Sequence, residues 1–424
     1  MRGFRDLPEG PLTLADVTVP ACLTGAAGDL LRTDLHLGGG RLVEAAPAGA
    51  ARVEMGGAMA LPCFTDMHTH LDKGHIWPRA ANPDGTFDGA LGAVRADSAA
   101  NWSAGDVAAR MDFALRCAFA HGTARVRTHL DSIPPQDDIS WPVFAEARAR
   151  WAGRIELQAA CLIGCDRFSA DGPFVHTADL VAEHGGVLGM VTYPVPDIAD
   201  RVRAFFAMAA ERGLSADFHV DETMDPASET LRVIAEAAIE TGFDAPVVVG
   251  HCCSLGTQEE ARAMATLDLV ARAGLNVVSL PMCNLYLQDR GPGTPRRRGV
   301  TLVHEMRARG IDVAFASDNT RDPFYAYGDL DMVEVLREAV RIAHLDHSRA
   351  DWIEAFTTAP AAICGWGGGG LAPGGPADLV ICDARSWTEL LARPQSDRIV
   401  LRGGAAIDRT LPRYHELDHL MEPT

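Results

Sequence analysis

The feature that most limits the fold is a regular alternation of short apolar runs and longer helical stretches after residue 63. The short runs are rich in β-branched residues, and the segments between them have apolar residues at helical spacing, which is typical of βα units on a parallel sheet. After an opening strand that ends at His70, candidate strands follow at 124–130, 155–162, 187–191, 216–220, 247–251, 277–280 and 313–317. Eight βα units predict an α/β fold, a (β/α)8 TIM-like barrel.

Both ends of the chain depart from this alternation. Residues 11–62 contain short strand signals separated by turn-like segments, and strand signals return from residue 371 onward. The simplest arrangement is a small flanking β-sandwich formed by both chain termini, 1–62 plus 371–424, beside a barrel of residues 63–370. The chain of 424 residues is long enough for both units, because α/β barrels commonly take about 250 residues.

The net charge and the apolar pattern limit the possible partners. The formal net charge is −19 and the basic run at 296–298 is three arginines long, so we expect no nucleic-acid partner. No window is long and apolar enough to span a membrane, and the N-terminal segment lacks the apolar core of a signal peptide. Ten scattered cysteines without a Cys-x-x-Cys pair indicate free thiols in a reducing compartment. We therefore predict a cytoplasmic protein with no membrane partner.

Metal-binding residue types stand where the predicted strands end, and the strand ends of a parallel barrel form its active site. His68 and His70 close the opening strand at a spacing of two, so their side chains share one face. His219 and His251 lie at the fifth and sixth strand ends, and Asp318 follows the eighth. A site of imidazoles and one carboxylate suits one divalent metal ion, zinc or iron(II), with room for a water molecule.

The order of these groups resembles the amidohydrolase superfamily, and its cytosine deaminase-like branch in particular. The most specific motifs are His68-Thr-His-Leu-Asp72, Val126-Arg-Thr-His-Leu-Asp131, His219-Val-Asp-Glu222, Arg297-Arg-Gly299 and Ser317-Asp-Asn-Thr-Arg-Asp-Pro-Phe324. The resemblance covers most of the chain and implies a distorted barrel, a flanking β-sandwich and one catalytic metal. The ligands that it implies are His68, His70, His219 and Asp318, and it gives catalytic roles to Glu222 and His251.

These residue types predict a metal-dependent hydrolytic deaminase that releases ammonia from a small nitrogen heterocycle. The nucleophile would be a water molecule whose pKa the metal lowers towards neutrality. Asp318 would accept a proton from this water. Glu222 would protonate the ring nitrogen and then help ammonia to leave, as a general acid and base. His251 would polarise the nucleophile or the developing oxyanion.

Substrate choice depends on residues around the metal ligands. We expect Asn319 to hydrogen-bond the substrate, Phe324 to stack on a flat ring, and Asp72, with Lys73 beside it, to shape the pocket. In cytosine deaminases a glutamine at the end of the third strand contacts the amide edge of the pyrimidine. The matching segment here, Leu157-Gln-Ala-Ala-Cys-Leu-Ile-Gly164, has no glutamine at that position. An unpaired amide edge is costly, so this difference predicts a changed ring preference.

Two other functions remain open. The same site could hydrolyse an N-substituted heterocyclic amine or a cyclic amide, in which case an alkylamine or a ring-opened acid would replace ammonia as product. A non-catalytic scaffold of the same fold is the alternative from another class, and stoichiometric metal in the purified protein would exclude it. His129 either orients a metal ligand or belongs to a structural network. We expect a small-molecule heterocyclic substrate and a homo-oligomer.

Overall fold

The computed structural model describes residues 3–347, 351–367 and 369–421. In chain order its strands are β1 (Leu12–Pro20), β2 (Leu30–Gly38), β3 (Arg41–Val43), β4 (Ala51–Glu54), β5 (Met59–Pro62), β6 (Phe64–Thr69), β7 (Thr123–Asp131), β8 (Glu156–Leu162), β9 (Leu188–Thr192), β10 (Ala216–Val220), β11 (Val247–His251), β12 (Asn276–Ser279), β13 (Val313–Phe315), β14 (Leu379–Cys382), β15 (Ile399–Arg402) and β16 (Ala405–Ala406). Its α-helices are α1 (Phe87–Asn101), α2 (Ala104–His121), α3 (Asp137–Trp151), α4 (Phe174–Glu183), α5 (Ile198–Glu211), α6 (Thr230–Thr241), α7 (Glu260–Ala273), α8 (Pro281–Leu287), α9 (Val303–Ala308), α10 (Met332–Ala343), α11 (Thr358–Ile363), α12 (Trp387–Ala392) and α13 (Asp418–Met421).

Strands β6 to β13 form the barrel. β6, β7 and β8 pair in parallel in one sheet, and β9 to β13 pair in parallel in a second sheet, each in sequence order. Isolated parallel bridges join Ala160 to Val187 and Gly164 to Val191 at one edge, and Thr69 to Asp318 at the other, and so connect the two sheets at both edges. The predicted α/β fold with eight parallel strands is therefore confirmed.

Local sequence explains where the helices between the strands begin and end. Helix α2 starts after Ser103, whose hydroxyl accepts the backbone N–H of Asp106, and it ends at Gly122, which has a φ of 96°. A hydroxyl N-cap and a left-handed glycine C-cap are the usual boundaries of such a helix. Val107 and Met111 on this helix are buried in the main core. Apolar helix faces of this kind pack on the outside of the barrel strands and hold the strand ends in place.

The strands of both chain ends form a separate sheet in the order β16-β15-β14-β5-β1-β2-β3, with β4 paired to β1. The predicted β unit built from both termini is thus confirmed, and hydrogen bonds join its strands in one sheet. The boundaries at 62/63 and 370/371 stay a prediction, and residues 1–2 and 422–424 lie outside the described residues. A buried ion pair links this unit to the barrel, because Arg398 donates to both carboxylate oxygens of Asp331 at 2.7 and 2.5 Å.

In the part of the chain that the structure describes, no helix is long and apolar enough to cross a membrane.

Candidate active site

The five residues predicted at the strand ends, four metal ligands and the catalytic His251, lie together at one edge of the barrel. His68, His219 and His251 lie on β6, β10 and β11, and His70 and Asp318 follow β6 and β13. Each of the five is at most 6% exposed. The parallel strand order thus collects side chains that are up to 250 residues apart in the sequence, counted from His68 to Asp318.

The spacing of the donor atoms fits a metal ion. His70 Nε2 lies 3.1 Å from Asp318 Oδ1 and 3.4 Å from His219 Nε2, and His68 Nε2 lies 3.5 Å from Asp318 Oδ1. Ligands at 2.0–2.2 Å from a tetrahedral metal are about 3.4 Å apart. Both ring nitrogens of His68 and both carboxylate oxygens of Asp318 are buried without a hydrogen-bond partner. Buried polar atoms of this kind need a partner, and a shared cation supplies one.

Burial also sets the charge state of the site. It lowers the pKa of His68, His70 and His219 well below the ordinary histidine value, so each presents a neutral imidazole. Burial alone would raise the pKa of Asp318, but the adjacent His70 and His251 rings and the charge of Lys73 outweigh it and lower that pKa. Neutral imidazoles and an ionised carboxylate are the protonation states that bind a divalent metal.

The backbone around the first and last barrel strands is locked in place. The Asp318 N–H donates to the carbonyl oxygen of His68 at 2.9 Å. Asp66 accepts the Ser317 N–H at 3.0 Å and the Ser317 hydroxyl at 2.5 Å. Asp318 itself has a φ of 65°, a conformation that is uncommon outside glycine and concentrates at functional sites. The sequence patterns did not identify Asp66, whose partner is 251 residues away.

His129 on β7 joins the same cluster. One ligand atom from each of His68, His70, His129 and His219 lies within 4.8 Å of the others. His129 Nε2 is 2.9 Å from Asp217, and Arg127 donates to the other carboxylate oxygen at 3.1 Å. Gln158 in turn accepts from Arg127 at 2.7 Å. This polar network joins β7, β8 and β10, and the side-chain oxygen of Gln158 on β8 is engaged by Arg127 within it.

Glu222 and His251 form a second group beside the cluster. Glu222 Oε1 is 3.4 Å from His251 Nδ1, and the Glu222 side chain is 13% exposed. Burial, followed by the charge of Asp318, raises the pKa of Glu222 well above its usual value. Burial lowers the pKa of His251 to about 4. The pair therefore combines a carboxyl disposed to hold a proton with a neutral imidazole.

Two buried amides of α8 and its end contact this pair, and sequence patterns did not identify either. Asn284 Nδ2 is 3.0 Å from His251 Nδ1. Gln288 Nε2 donates to the carbonyl oxygen of Glu222 at 3.2 Å. No motif marks such residues in a single sequence, because their partners come from other strands.

The predicted substrate-contacting residues lie beside the cluster in the loops after β6 and β13. Asn319 donates to Asp322 at 2.7 Å. Asp72 accepts the Asp131 N–H at 2.8 Å through Oδ2, and its Oδ1 is buried without a partner. Burial and then Asp131 raise the pKa of Asp72 to about 7. Phe324 has the Lys73 ammonium 4.9 Å from its ring centre.

Known proteins resemble this chain in sequence and in fold. The model of the amidohydrolase family matches residues 167–407. A pterin deaminase from Rhizobium rhizogenes is 54% identical over 417 residues, which are 96% of this chain and 95% of that relative. This chain belongs to the amidohydrolase family. The amidohydrolase also superposes on 5-methylcytosine deaminase from Klebsiella pneumoniae with a TM-score of 0.80 at 26% identity, over 93% of this chain and 97% of that one.

A second solved structure, N-isopropylammelide isopropylaminohydrolase from Burkholderia multivorans, matches this amidohydrolase with a TM-score of 0.75 at 26% identity, over 95% of this chain and 100% of that one. These relatives confirm the predicted family, its deaminase branch and the enzyme class. The amidohydrolase is a hydrolase of carbon–nitrogen bonds other than peptide bonds, and its reaction is hydrolytic deamination of a small nitrogen heterocycle. Its histidine-rich cluster is suited to a metal ion.

Proposed function

We propose that this amidohydrolase deaminates a pterin, a 2-amino-4-oxopteridine. The observation that carries this proposal is the pterin deaminase relative, which is 54% identical over 96% of the chain. The solved relatives that act on 5-methylcytosine or N-isopropylammelide are 26% identical. In the reaction one water molecule is consumed, the bond between the ring carbon and the exocyclic nitrogen breaks, a carbon–oxygen bond forms, and ammonia leaves.

We propose that His68, His70, His219 and Asp318 hold one divalent ion, zinc or iron(II). The close approach of their donor atoms and the missing hydrogen-bond partners of His68 and Asp318 support this assignment. When bound, such an ion lowers the pKa of a water molecule and so supplies the nucleophile at neutral pH. His129 Nε2 is hydrogen-bonded to the Asp217 carboxylate and is therefore not available as a metal ligand. We assign His129 the role of orienting the ligand histidines.

The chain's own proton-transfer groups are Glu222, His251 and Asp318. Glu222 holds a proton because of its raised pKa, and it donates that proton to the ring nitrogen next to the reacting carbon. The resulting Glu222 carboxylate takes the remaining hydroxyl proton of the added water and passes it to the leaving amine, and the proton held by Asp318 then restores the acid form of Glu222. Asp318 accepts the proton of the attacking water. One ring nitrogen of His251 lies within 4.8 Å of donor atoms of His68 and Asp318, where it stabilises charge on the attacking oxygen.

We propose that Asn319, Asp72 and Phe324 contact the ring. Asn319 binds Asp322 through its amide nitrogen, which leaves its carbonyl oxygen to accept from an N–H of the substrate. The Asp72 Oδ1 atom is likewise without a partner. Phe324 is 8% exposed, and its ring offers a flat surface for a pteridine. In this arrangement the Asn319 carbonyl oxygen and Asp72 Oδ1 contact the amide edge of the ring, in place of the glutamine that β8 lacks at its end.

Cellular placement and assembly are further proposals from the sequence. We propose a cytoplasmic homo-oligomer whose partner is a small heterocycle, without a nucleic-acid or membrane partner. The acidic composition and the scattered cysteines support this proposal. Light scattering of the purified protein tests the assembly, and a monomer at micromolar concentration would contradict it.

A substrate panel tests the proposed activity. Protein loaded with zinc or with iron(II) is incubated with pterin, cytosine and N-isopropylammelide, and ammonia and isopropylamine are measured separately. We expect ammonia from pterin with the highest kcat/KM of the three. Isopropylamine as the main product would favour the alternative, an amidohydrolase of substituted amines. No product and no bound metal would favour the non-catalytic scaffold.

A further inference from the structure

The Arg297-Arg-Gly299 motif supplies none of the proposed metal ligands or proton-transfer groups. It lies in the loop after α8, beyond Gln288. Asp289 accepts the backbone N–H groups of Arg296 and Arg297 at 2.5 and 3.0 Å, so the loop folds back onto the end of this helix. The motif is therefore in contact with the helix that carries Asn284.

Gly299 makes this contact a close one. Its φ is 69°, and a Cβ placed on it would lie 2.2 Å from Gln288 Cβ and 3.3 Å from the Asn284 carbonyl oxygen. Any other residue would force the helix end away from its position, because real side chains do not approach to 2.2 Å. Gly293 in the same loop has no atom within 4 Å of such a Cβ. Close packing is thus specific to the glycine of the motif.

The two residues under this glycine contact the proton-transfer groups. Asn284 is 1% exposed and Gln288 is 8% exposed. Asn284 Nδ2 lies 3.0 Å from His251 Nδ1; because an amide nitrogen can only donate, this contact is a hydrogen bond when Nδ1 carries the lone pair and the imidazole proton is on Nε2. Gln288 donates a hydrogen bond to the main-chain carbonyl oxygen of Glu222, and so fixes the backbone from which the Glu222 side chain extends.

We propose that Asn284 and Gln288 are positioning residues for deamination: Asn284 sets the tautomer of His251, Gln288 holds Glu222, and Gly299 keeps both amides in place. This inference rests on the proposed catalytic roles of Glu222 and His251. It gives the Arg-Arg-Gly motif a function that acts through α8 and not through contact with the substrate.

The tautomer is tested directly in the wild-type protein. Solid-state spectra of protein labelled with nitrogen-15 at the histidine rings, compared with those of a His251→Asn variant, identify the signals of His251. We expect a protonated Nε2 and an unprotonated Nδ1. The opposite tautomer would overturn the assignment to Asn284. This result does not depend on which ring is deaminated, so inactivity towards pterin would refute the proposed substrate without deciding the tautomer.

Kinetics of metal-loaded variants on the best substrate of the panel test the positioning role. Asn284→Asp replaces a donor by an acceptor of the same size, and Leu285→Ala on the exposed side of α8 is its control. We expect Asn284→Asp to lower kcat by about tenfold to a hundredfold, as for residues that orient a catalytic group, with KM and metal content unchanged. Unchanged kcat, or equal losses of kcat and stability, would overturn the proposal.

Gly299→Ala and Gly293→Ala form a second matched pair. We expect the first to lower kcat, because its Cβ displaces Gln288, and the second to behave as wild type. Should Gly299→Ala fail to fold, Gln288→Met still tests the same contact, because it keeps the length of the side chain and removes the donor to Glu222. A Gln288→Met enzyme with wild-type kcat would contradict the role of this residue.

Discussion

Glu222→Gln tests the proposed proton donor. The substitution keeps the size and the hydrogen-bonding capacity of the side chain and removes the acidic proton. Glu222 is 13% exposed and its carboxyl is 3.4 Å from His251, so it lies at the site without belonging to the metal-binding cluster. The variant should therefore bind metal as the wild type does.

The expected loss follows from the role of the group. General acid–base catalysis contributes about a hundredfold to ten-thousandfold, which is about 3–5 kcal/mol of transition-state stabilisation. Folding stability should not fall at neutral pH. A carboxyl whose folded pKa is raised loses stability as the pH rises above its unfolded pKa, and glutamine removes that cost.

Three measurements on Glu222→Gln check this expectation: the rate of ammonia release, the metal content by mass spectrometry, and the unfolding temperature. Glu236→Gln on helix α6, where the side chain is 53% exposed, is the control. We expect kcat to fall by about a hundredfold or more, while the metal content matches that of the control and the unfolding temperature is no lower than that of the control. A variant with near-wild-type kcat would refute the proton-donor role.

Three further perturbations test other parts of the structure. His219→Ala should lose stoichiometric metal, measured by mass spectrometry, because a buried ligand nitrogen is removed. Asp331→Asn should lower the free energy of unfolding in urea by about 3–5 kcal/mol, because it leaves Arg398 buried without its carboxylate. Burial raises the pKa of Asp331, but the charge of Arg398 outweighs burial, so this pKa lies below its usual value. The stabilisation that the ion pair gives the folded state is therefore complete above about pH 3.9 and is lost as the pH falls from there. Phe324→Ala should raise the KM for pterin by about 2- to 13-fold, the equivalent of 0.5–1.5 kcal/mol of stacking, and an unchanged KM would place the ring elsewhere.

The metal-binding cluster could be predicted because its members obey a local rule. His68 and His70 share a strand face, and His219, His251 and Asp318 stand at the ends of strands that a parallel barrel brings to one edge. Strand ends are visible in the sequence as the points where β-branched runs stop. The barrel order then follows from the chain order, so no long-range contact had to be known.

The supporting residues could not be predicted, since they depend on contacts between distant segments. Asp66 meets Ser317 across 251 residues, and Asn284 meets His251 across 33. Which helix residue faces a neighbouring strand depends on how α8 is docked, and a single sequence does not contain that geometry.

Substrate identity tests the central claim most directly. Metal-loaded wild-type protein is incubated with pterin in water enriched in oxygen-18, and the product is analysed by mass spectrometry together with released ammonia. We predict one labelled oxygen in each product molecule and one ammonia for each, with both formed at least about a hundredfold more slowly in Glu222→Gln. Unchanged pterin alongside rapid turnover of cytosine or of a substituted amine would contradict it.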